Sequence, residues 1–161
     1  LNLLLQEALN PPTDQSLERF GYKFGIGDKV MQIENNYDRE VYNGDIGFVV
    51  RKNEEDKTLT IDFDGREVAY DYADLDELVL CYATTIHKSQ GSEYPIVVIP
   101  LSMQHFVMLK RNLVYTGVTR GKKLVVIVGQ PRALGLAVRS NDALKRKTGL
   151  RARLIRQWSG G

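Results

Sequence analysis

Two apolar runs, Pro-Ile-Val-Val-Ile-Pro-Leu at residues 95–101 and Leu-Val-Val-Ile-Val at residues 124–128, decide the fold class of this chain. Between them, residues 106–119 carry apolar side chains at helical spacing. Residues 78–83 form a third apolar run, which reads as another buried strand. Buried Val- and Ile-rich strands that alternate with helices are typical of a parallel sheet covered on both faces. The sequence therefore predicts an α/β fold.

A different pattern separates these strands from the start of the chain. Residues 1–9 predict a short helix that Asn10-Pro11-Pro12 ends, because proline cannot continue a helix. Residues 29–33 alternate like a strand, and three further short strands with turn residues between them follow over residues 46–72. Such spacing predicts a small barrel or meander. Since about 40 residues make a poor independent domain, we expect an insertion that depends on its host.

Length and composition exclude several classes of protein. The chain has 161 residues and is 43% hydrophobic, which suits one globular domain with a small insertion. Its single cysteine excludes a disulfide framework and a cysteine-based zinc site, and fits a reducing cytoplasm. No apolar run reaches the roughly 18 residues of a membrane span. Because residue 1 is Leu, we expect the chain to be a fragment of a larger protein.

The net charge of +2 hides an uneven distribution. Residues 38–77 carry 13 acidic and 5 basic residues, a balance of −8, and the remainder carries 17 basic and 7 acidic residues, or +10. Seven of these basic residues fall within residues 139–156. A basic body around an acidic insertion suits a polyanionic partner for the body, although solvated surface charge explains the pattern equally well.

The densest polar segment is residues 83–93, Ala-Thr-Thr-Ile-His-Lys-Ser-Gln-Gly-Ser-Glu. It lies between two predicted strands, so it should emerge at a sheet edge, where α/β proteins place ligands. Hydroxyl groups and backbone amides there can bind phosphate oxygens without reading bases. The alternative is an ordinary loop with capping residues. A serine hydrolase is disfavoured, because Ser89 and His87 lack a nucleophile elbow and an evident orienting carboxylate.

A second segment is residues 113–123, Leu-Val-Tyr-Thr-Gly-Val-Thr-Arg-Gly-Lys-Lys. A helix delivers Arg120 at its carboxyl end, ahead of a strand. On its own this arginine would be explained by its favourable interaction with the helix dipole, worth roughly 0.3–1 kcal/mol. The segment is not a P-loop, and no GxxxxGK[ST] motif occurs in the chain. The chain alone should therefore not hold a nucleoside triphosphate.

Together the two segments resemble motifs V and VI of superfamily 1 DNA helicases. Residues 27–47, GDKVMQIENNYDREVYNGDIG, resemble the stretch that leads into the SH3-like insertion of RecD-like and TraA-like helicases. Residues 1–12 are similar to the helix before that stretch. The resemblance covers nearly the whole chain. It implies a partial RecA-like (P-loop NTPase-type) parallel-sheet domain without its own P-loop, formed by residues 1–38 and 79–161, with an SH3-like β-barrel insertion at residues 39–78.

The resemblance also implies roles for individual residues. Arg120 matches the motif VI arginine finger, which neutralises charge on the transferred phosphoryl group and is worth roughly 10³–10⁵ in rate. Glu93 matches the motif V carboxylate that accepts a hydrogen bond from the ribose, and Gly91 would allow close approach of the backbone. The implied single-stranded DNA contacts are Thr84, Thr85 and His87. No metal site is expected in the chain.

The resemblance implies the C-terminal motor domain of a bacterial, cytoplasmic, ATP-dependent 5′–3′ DNA helicase, similar to the alpha subunit of exodeoxyribonuclease V. The Walker lysine and the Mg²⁺ carboxylate would lie in a first RecA-like domain of the same parent, so ATP and Mg²⁺ would be bound mainly there and the fragment would be inactive alone. Recombination or repair proteins are possible further partners. Two alternatives stay open: a Pif-type or conjugative relaxase-helicase fragment, and a non-catalytic module that binds nucleic acid or protein.

The insertion leaves its own question open. Its balance of −8 requires Arg39, Arg51, Lys52 or Arg66 to contact DNA locally, or else a role as a steric pin or protein contact. Its aromatic residues are expected mostly in the core: Tyr42, Phe48, Phe63, Tyr70 and Tyr72. Five residues match the family pattern at its entry, and a turn role suits them at least as well as DNA contact: Asn35, Asn36, Tyr37, Asn43 and Gly44.

Overall fold

The computed structural model describes residues 1–140, so the predicted basic segment at residues 143–158 lies outside the described residues. The chain divides into two compact units, Leu1–Lys88 and the residues from Ser89 onward. The first unit contains helix α1 (Asn2–Leu9), strands β1 (Leu17–Arg19), β2 (Tyr22–Phe24), β3 (Lys29–Gln32), β4 (Ile46–Asn53), β5 (Thr58–Phe63), β6 (Arg66–Asp71) and β7 (Leu78–Leu80), and a 3₁₀ helix at Leu75–Glu77. The second contains β8 (Tyr94–Leu101), a 3₁₀ segment (Met103–Met108), α2 (Arg111–Val118), β9 (Gly121–Gly129) and α3 (Pro131–Arg139).

The first unit is built on a five-stranded antiparallel sheet in the order β6-β5-β4-β3-β7, beside the small β1-β2 hairpin. The predicted strands between residues 46 and 72 are confirmed. Asp64 and Gly65, at φ values of 52° and 91°, form the two-residue turn that pairs Phe63 with Arg66. Positive φ at both positions matches the twist of a hairpin, which explains the Asp-Gly sequence.

This sheet extends beyond the predicted insertion at residues 39–78. Strands β3 and β7 pair with each other, and β3 also pairs with β4. The apolar run at residues 78–83 was expected in the parallel sheet, but Leu78–Leu80 pairs antiparallel in this one. Periodicity shows that a strand is buried and does not show its partner, so this prediction was wrong. The assignment of these segments to parent domains stays a prediction.

The core of the first unit draws one side of each strand together. It includes the fully buried side chains of Phe24, Val30, Val41, Ile61 and Tyr70. A buried carboxylate, Asp28, joins α1 to this core through four hydrogen bonds, whose donors are Gln6 Nε2 (2.6 Å), Asn10 Nδ2 (2.8 Å), Gly25 N (2.7 Å) and Tyr82 Oη (2.5 Å). Such pairing is what a charge away from water requires.

The second unit contains a β-α-β arrangement in which β8 and β9 are parallel neighbours. The α/β class and a parallel pair are thus confirmed. The single helix expected at residues 106–119 is shorter, because the 3₁₀ segment at Met103–Met108 precedes α2 and His105 departs from helical geometry. Its core comprises Ile99, Leu101, Leu109, Val114, Ala133 and Ala137.

Only one face of the parallel pair is covered within residues 1–140. The inner face, with Ile99 and Leu101, packs against the helices. The register places three opposing pairs on the outer face: Ile96 with Leu124, Val98 with Val126, and Pro100 with Val128. These side chains are exposed, for example Val98 at 60%. The expectation of two covered faces is therefore not met by the described residues, although the apolar sequence is typical of such strands.

No helix within residues 1–140 is both long enough and apolar enough to span a membrane.

Candidate functional site

The turn that follows β7 carries the predicted DNA-contacting residues. Thr84, Thr85 and His87 lie close together in the sequence before Lys88 and are all exposed. Thr85 Oγ1 accepts a hydrogen bond from the Lys88 backbone N–H at 3.2 Å, which shapes the turn and leaves the hydroxyl proton available. The Ala83 N–H donates to Asn2 Oδ1 at 2.6 Å, which ties the start of this turn to α1.

An open groove of about 360 Å³ runs beside this turn within the first unit. Its lining includes Met31, Leu80, Cys81, Thr84, Thr85 and Lys88. Burial is the main cause that raises the pKa of the Cys81 thiol above its ordinary value. Because the thiol is neutral, Lys88 is the one charged side chain among these six lining residues. The groove thus combines apolar walls with two hydroxyl groups and one cation at its edge.

The predicted nucleotide residues lie in the second unit, at the amino ends of the two parallel strands. Glu93 immediately precedes β8 and Arg120 immediately precedes β9. The Tyr94 N–H donates to the Arg120 carbonyl oxygen at 2.8 Å, so the two segments are joined at this point. Residues 83–93 were expected to link two strands at the edge of one sheet, but β7 before them and β8 after them belong to different sheets.

The Arg120 guanidinium is held by three neutral oxygens. Nε donates to the Thr116 carbonyl at 3.2 Å, and Nη1 donates to the Ser92 carbonyl at 3.0 Å. Nη2 donates to Thr119 Oγ1 at 3.2 Å. Within residues 1–140, no carboxylate forms an ion pair with Arg120. Its positive charge is therefore not compensated locally, and guanidinium donors remain for a planar anion such as a phosphate.

Gly91 and Glu93 flank Ser92, whose carbonyl oxygen accepts a hydrogen bond from Arg120. The Glu93 carboxylate is exposed and pairs with Lys122 Nζ at 3.2 Å, a surface contact that contributes little stability. Gly91 has a φ of 88°, which disfavours any side chain, and among residues 1–140 no atom beyond its chain neighbours would lie within 4 Å of an added Cβ. The structure thus brings Arg120 to the segment that carries Glu93, and leaves the backbone of Gly91 open to solvent.

Each of the four cations considered for DNA contact within residues 39–78 forms an ion pair inside the first unit. Arg39 pairs with Asp74 and Glu77, Arg51 with Glu67, Lys52 with Glu54, and Arg66 with Glu40. Of the aromatic residues expected in the core, Phe63 and Tyr70 are buried and Tyr72 is partly buried. Tyr42 and Phe48 are exposed, so that expectation was wrong for these two.

The side-chain oxygens of Asn35 and Asn36 both accept backbone N–H groups. Asn35 Oδ1 accepts the Asn43 N–H at 2.9 Å, and Asn36 Oδ1 accepts the Arg39 N–H at 3.0 Å. These contacts support the turn interpretation for both asparagines. The role of Glu77, which binds Asn36 and Arg39, was missed, because a carboxylate 41 residues away from its partner gives no local signal. Within residues 1–140 no cluster of metal-ligating side chains is present.

Comparison with known proteins places both units in helicase families. Residues 1–63 match the family described as the ATP-dependent RecD-like DNA helicase SH3 domain, and residues 80–128 match the UvrD-like helicase C-terminal domain. The ATP-dependent RecD2 DNA helicase of Deinococcus radiodurans is 42% identical over 69% of this chain and 15% of its own length. The RecBCD enzyme subunit RecD of Mycolicibacterium smegmatis is 33% identical over 95% of this chain and 26% of its own length.

Solved structures show a similar fold. The Bacteroides Pif1 helicase in complex with ADP-AlF₃ and single-stranded DNA aligns with a TM-score of 0.57 at 20% identity, over 92% of this chain and 36% of that chain. The Candida albicans Pif1 helicase aligns with a TM-score of 0.51 at 18% identity, over 85% and 36%. The present chain spans about a quarter or less of these two RecD relatives. It is thus a homologue of the RecD-like superfamily 1 DNA helicases, matching a part of them that includes the SH3 and C-terminal helicase domains.

Proposed function

We propose that the chain is the C-terminal motor domain of an ATP-dependent DNA helicase that moves 5′–3′, and that Arg120 is its arginine finger. One observation carries the proposal: the Arg120 guanidinium is bound only to neutral oxygens among residues 1–140, next to the segment that holds Glu93. A finger must keep its charge for the phosphate, and no carboxylate among residues 1–140 forms an ion pair with Arg120.

The other site residues follow from the same proposal. Glu93 would exchange its exposed contact with Lys122 for the ribose hydroxyl, which costs little because surface ion pairs are weak. Gly91 would let the backbone approach the nucleotide. Thr84, Thr85 and His87 would hold single-stranded DNA through contacts that do not read bases. The alternative role for His87 is a purely structural one.

ATP and Mg²⁺ fit this chain only in part. Arg120 has donors suited to a phosphate, but no acidic cluster within residues 1–140 could hold the metal ion. We therefore place the main binding groups for both in a first RecA-like domain of the parent protein. When bound there, ATP supplies the phosphoryl group whose charge Arg120 neutralises. The chain alone should show no appreciable ATPase activity.

The decisive experiment is Arg120→Ala in the parent helicase, measured as DNA-stimulated ATP hydrolysis. Loss of an arginine finger should lower the rate by roughly 10³–10⁵, while binding of single-stranded DNA stays measurable. Arg111→Ala is the matched control, because Arg111 lies on the helix that precedes Arg120 and donates its Nε–H to the Val138 carbonyl at 2.8 Å. A normal turnover number for Arg120→Ala would refute the assignment.

The DNA contact has its own test. Thr85→Ala should reduce DNA-stimulated hydrolysis more than basal hydrolysis, and Thr85→Ser, which keeps the hydroxyl, should restore it. Thr13→Ala is a suitable control, since Thr13 Oγ1 accepts the Gln15 N–H at 3.3 Å in a comparable exposed turn. Equal DNA stimulation in all three variants would argue against contact at Thr85.

A further inference from the structure

An exposed aromatic pair lies on the loop between β3 and β4. The rings of Tyr37 and Tyr42 meet edge to face, with centroids 5.9 Å apart and an interplanar angle of 74°. Tyr37 is 72% exposed and Tyr42 is 46% exposed. Exposed aromatic rings on an ordered loop are costly for solubility unless they bind something, which makes this pair a candidate contact surface.

The loop that presents the pair is held firmly. Asn36 and Val41 exchange two backbone hydrogen bonds, of 2.8 Å and 3.0 Å, that close the loop beneath the rings. Val41 is fully buried. Asn36 Nδ2 also donates to the Glu77 carboxylate at 3.1–3.2 Å. Binding to such a loop loses little backbone entropy, because hydrogen bonds already hold residues 36–41.

The pair lies close to the turn that carries Thr85. Gly44 follows Tyr42 by two residues, and its N–H donates to the Gln32 carbonyl at 2.9 Å. Gly44 has a φ of 102°, and a Cβ there would lie 4.0 Å from the Lys88 carbonyl oxygen. Two residues of chain span at most about 8 Å, so the Cα atom of Tyr42 lies within about 8 Å of that of Gly44. A strand held at Thr85 and Lys88 would pass beside the two rings.

The ion pairs around the loop determine whether it can bind a phosphate or an uncharged base. The basic residues nearest the pair are engaged, because Arg39 pairs with Glu77 and Arg66 with Glu40. The loop therefore offers no cation to a phosphate. Stacking of a base on a ring needs none, since every base has an uncharged π-face. Lys88, exposed and without an ion pair among residues 1–140, can meet the phosphate instead.

We propose that Tyr37 and Tyr42 form a base-stacking platform for single-stranded DNA, beside the phosphate contacts at Thr85 and Lys88. The proposal rests on the proposed function of the chain as part of a DNA motor. In this proposal the tyrosine rings bind the bases, and the turn binds the phosphate backbone of the DNA. A platform of this kind tolerates any sequence, as a translocating protein requires.

The test measures binding of the 161-residue chain to a short fluorescent oligothymidylate and to an abasic oligonucleotide of equal length. Tyr37→Ala and Tyr42→Ala should each weaken binding to oligothymidylate by about 5- to 150-fold, the range that stacking of one base provides. Binding to the abasic strand, which lacks the stacking partner, should change little. Tyr37→Phe should bind like the unsubstituted chain, and Tyr37→Leu should not.

Phe20→Ala is the matched control, because Phe20 is 55% exposed in the same unit. Unchanged binding of oligothymidylate in both tyrosine variants overturns the proposal. It is also overturned if the unsubstituted chain prefers the abasic strand, or if it binds neither oligonucleotide. A platform that fails while Arg120→Ala still abolishes hydrolysis in the parent would leave the proposed function intact. Equal losses on both strands would show that the tyrosines do not act by stacking.

Discussion

Removal of the Glu77 carboxylate should destabilise the first unit more than its position at the end of a 3₁₀ helix suggests. Its oxygens accept hydrogen bonds from Gln32 Nε2 at 2.7 Å, from Asn36 Nδ2 at 3.1–3.2 Å, and from Arg39 Nη1 at 3.5 Å. Gln32 is fully buried, so Glu77→Ala leaves its amide donor without a partner and without water.

The magnitude follows from these partners. An unsatisfied buried donor costs roughly 1–3 kcal/mol, and loss of a hydrogen bond to a charged group costs about 1.5–3 kcal/mol. Because the Glu77 side chain is 20% exposed, part of this is screened, and we expect about 2–4 kcal/mol in total. The Tyr70 hydroxyl, which donates to Gln32 Oε1 at 2.9 Å, belongs to the same network. Burial first, and the Glu77 charge second, raise the pKa of Tyr70 above its ordinary value.

The assay is urea unfolding followed by far-UV circular dichroism. The matched control is Glu67→Ala, because Glu67 also pairs with an arginine, Arg51, but its side chain is 53% exposed. Surface pairs of this kind contribute roughly 0–1 kcal/mol. A Glu77→Ala variant no less stable than Glu67→Ala would refute the reasoning that burial, and not the ion pair as such, determines the contribution.

The remaining predictions concern the buried Asp28 cluster. Asp28→Ala should lower the free energy of unfolding by about 3–5 kcal/mol, because the donors around this fully buried carboxylate lose their acceptor. In the same urea assay, the exposed control Asp14→Ala should lie within roughly 0.5 kcal/mol of the unsubstituted chain. Burial, and next the hydrogen bond to Asp28, raise the pKa of Tyr82 to about 12. Because this folded-state pKa exceeds the unfolded value near 10, the stability that Tyr82 contributes is complete below pH 10 and is lost as pH rises towards and through 12. Tyr82→Phe should remove that loss and reduce the late-titrating tyrosinate absorbance, to which Tyr70 still contributes, and an unchanged titration would count against the assignment.

Local patterns predicted most of the elements. The pattern over residues 46–72 predicted three short strands with turns between them, and β4, β5 and β6 lie there. The apolar runs at residues 95–101 and 124–128 gave two parallel neighbours. These predictions succeeded because a strand's side-chain period and the φ preference of a turn are fixed within a few residues.

Local sequence patterns could not predict which distant segments pair with each other. The Leu78–Leu80 strand was assigned to the wrong sheet, and Tyr42 and Phe48 were expected in the core. Each of these depends on which surface comes to lie opposite, which periodicity does not specify. The same holds for the Gln32–Glu77 contact, whose partners are 45 residues apart.

By itself, the sequence determined the α/β class, the strands between residues 46 and 72, and the two polar segments that resemble helicase motifs V and VI. The tertiary structure alone decided that Arg120 is bound by neutral oxygens, that Arg39, Arg51, Lys52 and Arg66 form internal ion pairs, and that Tyr37 and Tyr42 are exposed together. The physical reason is that charge compensation and exposure depend on neighbours brought together by folding, whereas strand period and turn preference belong to consecutive residues.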